Sequence, residues 1–297
     1  MVTRHRVLAL VCLLMAFGIA MLAACAPSRL PTDPDVAPVS RIENKGSDTM
    51  VNLALAWVEA YTAVRPELLI SVTGGGSGTG IAAMINGTVD IANASRDMSP
   101  VEFEAARANN IDPVEWVVAR DAVAVIVHLD NPIDQLTLSE VAAIFRGEIT
   151  NWRELGGEDR PIVLVSRESN SGTYVYFLEH VIREGAQDPM ALFSPDTLLM
   201  PSSEGISAEV RQNRNAIGYD GLGYVTPDKK VIAIGLDPKG PFVLPSIATV
   251  NDGTYPIARE LFMYTAGEPV GQIGAFLDWI LTDGQEQVAR LGFVPLQ

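Results

Sequence analysis

Residues 68–85 read LLISVTGGGSGTGIAAMI, and this stretch decides the fold. Leu68–Thr73 has the length and apolar character of a short strand, and Ile81–Ile85 begins a short helix. Between them lies Gly74-Gly75-Gly76-Ser77-Gly78-Thr79-Gly80, a run of glycines and small hydroxyl residues placed where the helix begins. A strand feeding through a tight turn into a helix is the building unit of α/β architecture.

The unit recurs along the chain. Gly46-Ser47-Asp48-Thr49 precedes a segment in which Met50, Leu53, Ala54, Trp57, Val58 and Tyr61 share one helical face. Ser169-Asn170-Ser171-Gly172-Thr173 separates a strand at Ile162–Ser166 from a helix at Tyr174–Ile182. Further strands are predicted at Asp90–Ala94, Ala122–His128 and Ile257–Tyr264, and helices at Glu102–Ala108, Ser139–Phe145 and Ile273–Leu281. The alternation predicts an α/β protein, built as one large sheet or as two smaller lobes. No repeat of solenoid period is present.

Each glycine–hydroxyl turn has a chemical use. The first turn of a helix carries unpaired N–H groups and the positive end of the dipole. Glycine lets an anion approach the backbone, and serine or threonine adds a hydroxyl donor. One such turn is ordinary capping; three in one chain, each after extended structure, predict a convergent anion site. Arg96 and Arg167 both follow predicted strands, at the strand ends where open α/β sheets hold their ligands. A planar guanidinium also suits a tetrahedral oxyanion.

Other chemistries lack their residues. The 74–80 turn has no lysine, which excludes a nucleotide P-loop, and Thr79 stands where a hydrolase elbow needs glycine. Beyond the leader only His128 and His180 remain, in no metal-ligand spacing, so neither a metal nor a cofactor is expected. A Ser–His–Asp enzyme has no support from spacing. The formal net charge is −15, which argues against nucleic acid as a partner. An anion must then be held by local dipoles and a few placed cations, since the global field repels it.

The start of the chain sets its address. Arg4, His5 and Arg6 precede an apolar run from Val7 to Ala24, and Leu22-Ala23-Ala24-Cys25 follows the pattern of a cleavage site. An uncleaved anchor would use the same run at the lower limit of a spanning length, but no stop-transfer charges follow. Leu-Ala-Ala-Cys resembles the bacterial lipoprotein signal, which implies removal of residues 1–24 and acylation of Cys25. Residues 25–40 then form the lipidated cysteine and a proline-rich tether. Cys12 would leave with the leader, so the exported domain folds without a disulfide.

The three turns, with Asp90–Arg96 between them, resemble the phosphate-binding proteins of ABC phosphate transporters. Asn131-Pro132, Leu136-Thr137 and above all Ile144-Phe145-Arg146-Gly147-Glu148-Ile149-Thr150-Asn151-Trp152 are similar to a segment typical of that family. So are Arg167-Glu168 before Ser171-Gly172-Thr173, Ala216-Ile217-Gly218-Tyr219, Tyr255-Pro256 and Gly292-Phe293-Val294-Pro295.

The resemblance implies a two-lobed type II periplasmic-binding-protein fold with hinge strands near Ala122–His128 and Ile257–Tyr264. Lobe 1 would comprise 41–125 plus 256–297, and lobe 2 126–255. Carried over by position, Ser47, Asp48, Thr49, Ser77, Gly78, Ser95 and Arg96 supply one wall of a phosphate site. Arg167, Ser171, Gly172 and Thr173 supply the other. Many relatives place a carboxylate where Arg96 stands, to accept the proton that phosphate keeps; here Asp48 is the candidate acceptor. The implied function is capture of inorganic phosphate by a non-enzymatic, monomeric lipoprotein. It would sit on the outer face of the cytoplasmic membrane or in the periplasm and serve the permease subunits of an ABC importer. Sulfate, molybdate or tungstate on the same fold, or an envelope phosphatase or esterase using Ser47 or Ser171, are the alternatives.

Overall fold

The computed structural model describes residues 41–296; the expected leader, the expected acylation site Cys25 and the expected tether lie outside the described residues. The strands are β1 (Arg41–Gly46), β2 (Leu69–Thr73), β3 (Ile91–Ala94), β4 (Val114–Val127), β5 (Gln135–Thr137) and β6 (Val163–Arg167). They are followed by β7 (Leu198–Met200), β8 (Ala216–Gly221), β9 (Lys230–Val231), β10 (Ala233–Gly235) and β11 (Ala258–Thr265). Eight of them run in the order β2-β1-β3-β11-β4-β8-β6-β7, β9 joins β4, and β10 pairs with β5 apart from the rest.

The two ends of this path are separate α/β layers joined through β4. β1 lies parallel to both β2 and β3, with helices at Val51–Thr62 and Ser77–Ile85 following β1 and β2. β6 lies parallel to β7 and β8, with helices at Gly172–Phe177 and Ser203–Gln212 following β6 and β7. β4 runs for 14 residues and changes partner midway. Val114–Ala122 pairs antiparallel with β11, and Val123–Val127 pairs antiparallel with β8. Each layer has its own core. Trp57, Leu53, Leu261 and Phe276 pack in the first, and Phe145, Phe177, Tyr219 and Ile144 in the second. The result is the two-lobed type II periplasmic-binding-protein fold, with β4 and β11 at its hinge.

Most sequence-predicted elements lie within one or two residues of their observed bounds. β4 is the largest departure, because it begins eight residues before the predicted Ala122. Glu115, Arg120 and Asp121 interrupt the apolar signal there, yet the segment is extended because it pairs along β11. The helix after the Ser171 turn starts at Gly172 and continues as a π-helical turn over Leu178–Arg183.

A buried ion pair marks the place where β4 changes partner. Arg259 of β11 donates from Nη2 (2.8 Å) and Nε (3.2 Å) to Asp121 Oδ2, and from Nη1 to the Ser95 carbonyl at 3.0 Å. Asp121 Oδ1 accepts from the Leu222 N–H at 2.9 Å. Burial pushes the Asp121 carboxyl up, against the pull of Arg259. The Arg259 guanidinium also lies 5.5 Å above the Tyr176 ring. One pair therefore touches the ends of both layers.

Candidate functional site

The site forms where the carboxyl ends of β1, β2 and β3 face those of β6, β7 and β8. Gly46 closes β1 at φ +145°, and a Cβ there would collide with the Asn93 carbonyl. Only glycine fits so close an approach, and the next residue uses it: the Ser47 N–H donates to Asn93 O at 2.8 Å. Ser47 Oγ then donates to Ser95 Oγ at 2.9 Å, and the Ser95 N–H donates to Ser77 Oγ at 3.0 Å. Three hydroxyls, two from predicted turns and Ser95 from just past the end of β3, thus share one buried network, all at most 1% exposed.

The second wall meets the first directly. Ser171 caps the Gly172–Phe177 helix, its side chain accepting from the Tyr174 N–H. Thr173 Oγ1 and Thr49 Oγ1 share a hydrogen bond of 2.7 Å. Gly172 faces Ser77 and Ser95 so closely that a Cβ would lie 2.6 Å from Ser95 Oγ and closer still to Ser77 Oγ. The Gly78 N–H donates to the Asn170 carbonyl at 3.1 Å.

Arg167 is the cation of this cluster, only 2% exposed. Nη1 donates to Ser203 Oγ and Nη2 to the Pro201 carbonyl, each at 3.1 Å. Asp48 Oδ2 lies 3.3 Å from Nη2 and accepts the Ser203 N–H at 2.8 Å. Nε of Arg167 is buried without a hydrogen-bond partner. A buried guanidinium N–H left unpaired costs free energy, so its natural complement is an acceptor such as an oxyanion. Asp48 itself bridges the walls, its backbone carbonyl accepting the Tyr224 hydroxyl at 3.0 Å.

Ser47, Asp48, Thr49, Ser77, Gly78, Ser95, Arg167, Ser171, Gly172 and Thr173 are thus brought to one seam. Arg96 borders it but is turned elsewhere. Its fork closes on Glu102, Nη1 to Oε2 at 2.8 Å and Nη2 to Oε1 at 2.7 Å, and it anchors the helix Pro100–Ala108. Two further residues join the site unforeseen. Ser203 opens the helix Ser203–Gln212, and its hydroxyl donates to Asp220 Oδ1 at 2.7 Å. The signal for Ser203 was present in Pro201-Ser202-Ser203, the same placement of hydroxyls before a helix. Asp220, at the end of β8, carries no such pattern; only the topology brings it beside Arg167.

Among the described residues no group of His, Cys, Asp and Glu is arranged to hold a metal, and no helix is long and apolar enough to cross a membrane.

Comparison with known proteins identifies the family of the chain. Residues 32–284 match the model of the PBP superfamily domain. The chain is 34% identical to the phosphate-binding protein PstS of Pseudomonas aeruginosa, covering 94% of this chain and 90% of that protein. It is equally 34% identical to PstS of Bacillus subtilis, over 84% of this chain and 79% of the relative. A crystal structure described as a phosphate ABC transporter substrate-binding protein with bound phosphate, from Clostridium perfringens, superposes with a TM-score of 0.77. It shares 30% identity, with 87% of this chain and 100% of that one covered. The chain belongs to the PBP superfamily, in the family of the phosphate-binding proteins PstS.

Proposed function

We propose that the chain captures inorganic phosphate between its two lobes and delivers it to an ABC importer. The observation that carries this reading is Arg167, a buried guanidinium with Nε unpartnered, set among hydroxyls from both walls. Ser47, Thr49, Ser77, Ser95, Ser171 and Thr173 offer hydroxyls, and the turns at Gly78 and Gly172 offer close backbone approach. Arg96 acts from the border, holding the Ser95–Ser99 segment through Glu102. Asp48 is the acceptor for the proton that phosphate retains. Its Oδ2 is committed to Ser203 and Arg167, so Oδ1, which lies beside Gly74, is the oxygen left to accept that proton. Sulfate has no proton to give, and a buried acceptor without a donor costs about 1–3 kcal/mol.

Titration calorimetry with phosphate, sulfate, molybdate and tungstate tests the assignment. Phosphate alone should bind tightly, and sulfate binding equally well would overturn it. A phosphatase reading has a separate test, steady phosphate release from a phosphomonoester by the purified protein. His128 and His180, the histidines a serine nucleophile would call on, are engaged elsewhere: His128 Nδ1 meets the Asp130 N–H and His180 Nδ1 the Tyr176 carbonyl. In this proposal the lobes are 41–125 plus 256–297 and 126–255. The protein works as a monomer held by acylated Cys25 outside the cytoplasmic membrane. Cys25→Ala should shift it from the membrane fraction to the soluble one.

A further inference from the structure

Asp220 is a buried acid at the site for which phosphate capture, as described above, has no use. It is 1% exposed. Its Oδ1 accepts the Ser203 hydroxyl at 2.7 Å and the Gly221 N–H at 2.9 Å. Its Oδ2 is buried with no hydrogen-bond partner. Ser203 links it to Arg167, since Ser203 Oγ accepts from Arg167 Nη1 while donating to Asp220. The chain Arg167–Ser203–Asp220 therefore ends in an oxygen that has nothing to accept from.

Charge accounting gives that oxygen a role. The charged and titratable groups around Asp220 are Arg167 from β6, Asp121 from β4 and Tyr224 from the turn after β8, with Asp48 joined to it through Ser203 and Glu204 near Tyr224. Asp121 is already paired with Arg259, and Arg96 with Glu102. Among these described residues, Arg167 is thus the cation left to balance Asp48, Asp220 and an incoming phosphate dianion together. Two ionised carboxylates and a dianion against one guanidinium leave a large uncompensated buried charge, which is costly. Protonating Asp220 removes one of those charges and turns its orphan Oδ2 into an O–H donor.

We infer that Asp220 is the proton-loading acid of the site: it takes up a proton from solvent as phosphate binds, and so sets how capture depends on pH. Before binding, burial already pushes its carboxyl up to about 7, against the opposing pull of the Ser203 hydroxyl and Arg167. The added anion raises it further, since a nearby like charge disfavours the ionised form. The sign follows from linkage. Below the free protein's value Asp220 is protonated with or without ligand, so binding moves no proton there. Above it, and up to the bound form's value, each binding event takes up as much as one proton, and affinity falls as pH rises. A receptor with this residue would be tuned to hold phosphate in neutral or acidic surroundings and release it more readily in alkaline ones.

The inference rests on the phosphate reading, and the test separates the two. Phosphate is titrated into the intact protein by calorimetry at alkaline pH, in buffers of different ionisation enthalpy, which counts protons taken up per phosphate. Wild type should take up a large fraction of one proton, and its affinity should fall up to tenfold per pH unit. Asp220→Asn, of the same shape, should bind phosphate with little uptake and a nearly flat profile, while Asp48→Asn should keep the uptake. Equal uptake in wild type and Asp220→Asn, or its loss in Asp48→Asn instead, would overturn the inference. If Asp220→Asn does not fold, difference infrared spectroscopy of wild type serves. Phosphate added at alkaline pH should produce a protonated-carboxyl band, and no new band would overturn the inference. Absence of phosphate binding at every pH would instead refute the phosphate reading itself.

Discussion

Thr49 and Thr173, 124 residues apart in sequence, share a buried hydrogen bond of 2.7 Å between their hydroxyls. Thr49 belongs to the turn after β1 and Thr173 to the turn after β6, so the two walls of the site meet without an intervening side chain. Hydroxyls suit such a seam because each can donate or accept. They can pair with one another across the interface and re-pair with an anion's oxygens without leaving a buried group unsatisfied.

Gly172 makes that contact possible. Its backbone is in a conformation any residue adopts, so a substitution there reports on space alone. Gly172→Ala places a methyl against Ser77 and Ser95, and overpacking of this kind costs about 1–3 kcal/mol. The cost falls on the approach of the two walls, since Gly172 is on one and both serines are on the other. Phosphate affinity should drop by roughly 5- to 150-fold, the same energy expressed as an equilibrium. The melting temperature measured with saturating phosphate should fall more than that measured without it.

Arg167→Ala should be more severe. It removes the buried cation and leaves Asp48 and Ser203 without their partner. Truncating one member of a buried, hydrogen-bonded charge pair costs about 2–5 kcal/mol or more, and calorimetry should register a loss of that size in phosphate binding. Arg167→Lys should recover only part, because a point charge cannot replace the fork shared among Ser203, Pro201 and Asp48.

Asp48→Asn addresses selectivity. The amide keeps the shape and an acceptor oxygen but adds N–H donors. One of these can face an unprotonated oxyanion. Phosphate should weaken and sulfate should strengthen, narrowing the gap measured by paired titrations. Selectivity unchanged in the variant would reduce Asp48 to its contacts with Ser203 and Arg167.

How much of this was legible in the sequence depends on how local each signal is. The Ser47, Ser77 and Ser171 turns could be read because glycine, hydroxyl and helix periodicity are adjacent in the chain. Arg167 could be read because it directly follows an apolar strand. Arg96 looked identical by that rule. Its fork is instead held by Glu102, six residues away, through a capping box that also binds Ser99. A capping box is itself legible as Ser-x-x-Glu; that it also captures an arginine is not. Asp220 lay beyond reach for another reason. It stands among buried residues of β8, and only the parallel pairing of β6 with β8 brings it near Arg167.

The Asp121–Arg259 pair gives the hinge a measurable property. Neither residue stands out in sequence, yet both are almost wholly buried, and between them they hold the Ser95 carbonyl and the Leu222 N–H. Removing one member of a buried pair costs about 3–5 kcal/mol, whereas replacing both by apolar residues of similar volume is often neutral. Asp121→Leu and Arg259→Met should each lower stability by about that amount in denaturant unfolding, and the double variant should regain most of it. Function should not follow stability. The double variant loses the link from hinge to Ser95, so its phosphate affinity should stay below wild type even where its unfolding free energy is restored. Recovery of both together would mean that the pair only fills space at the hinge.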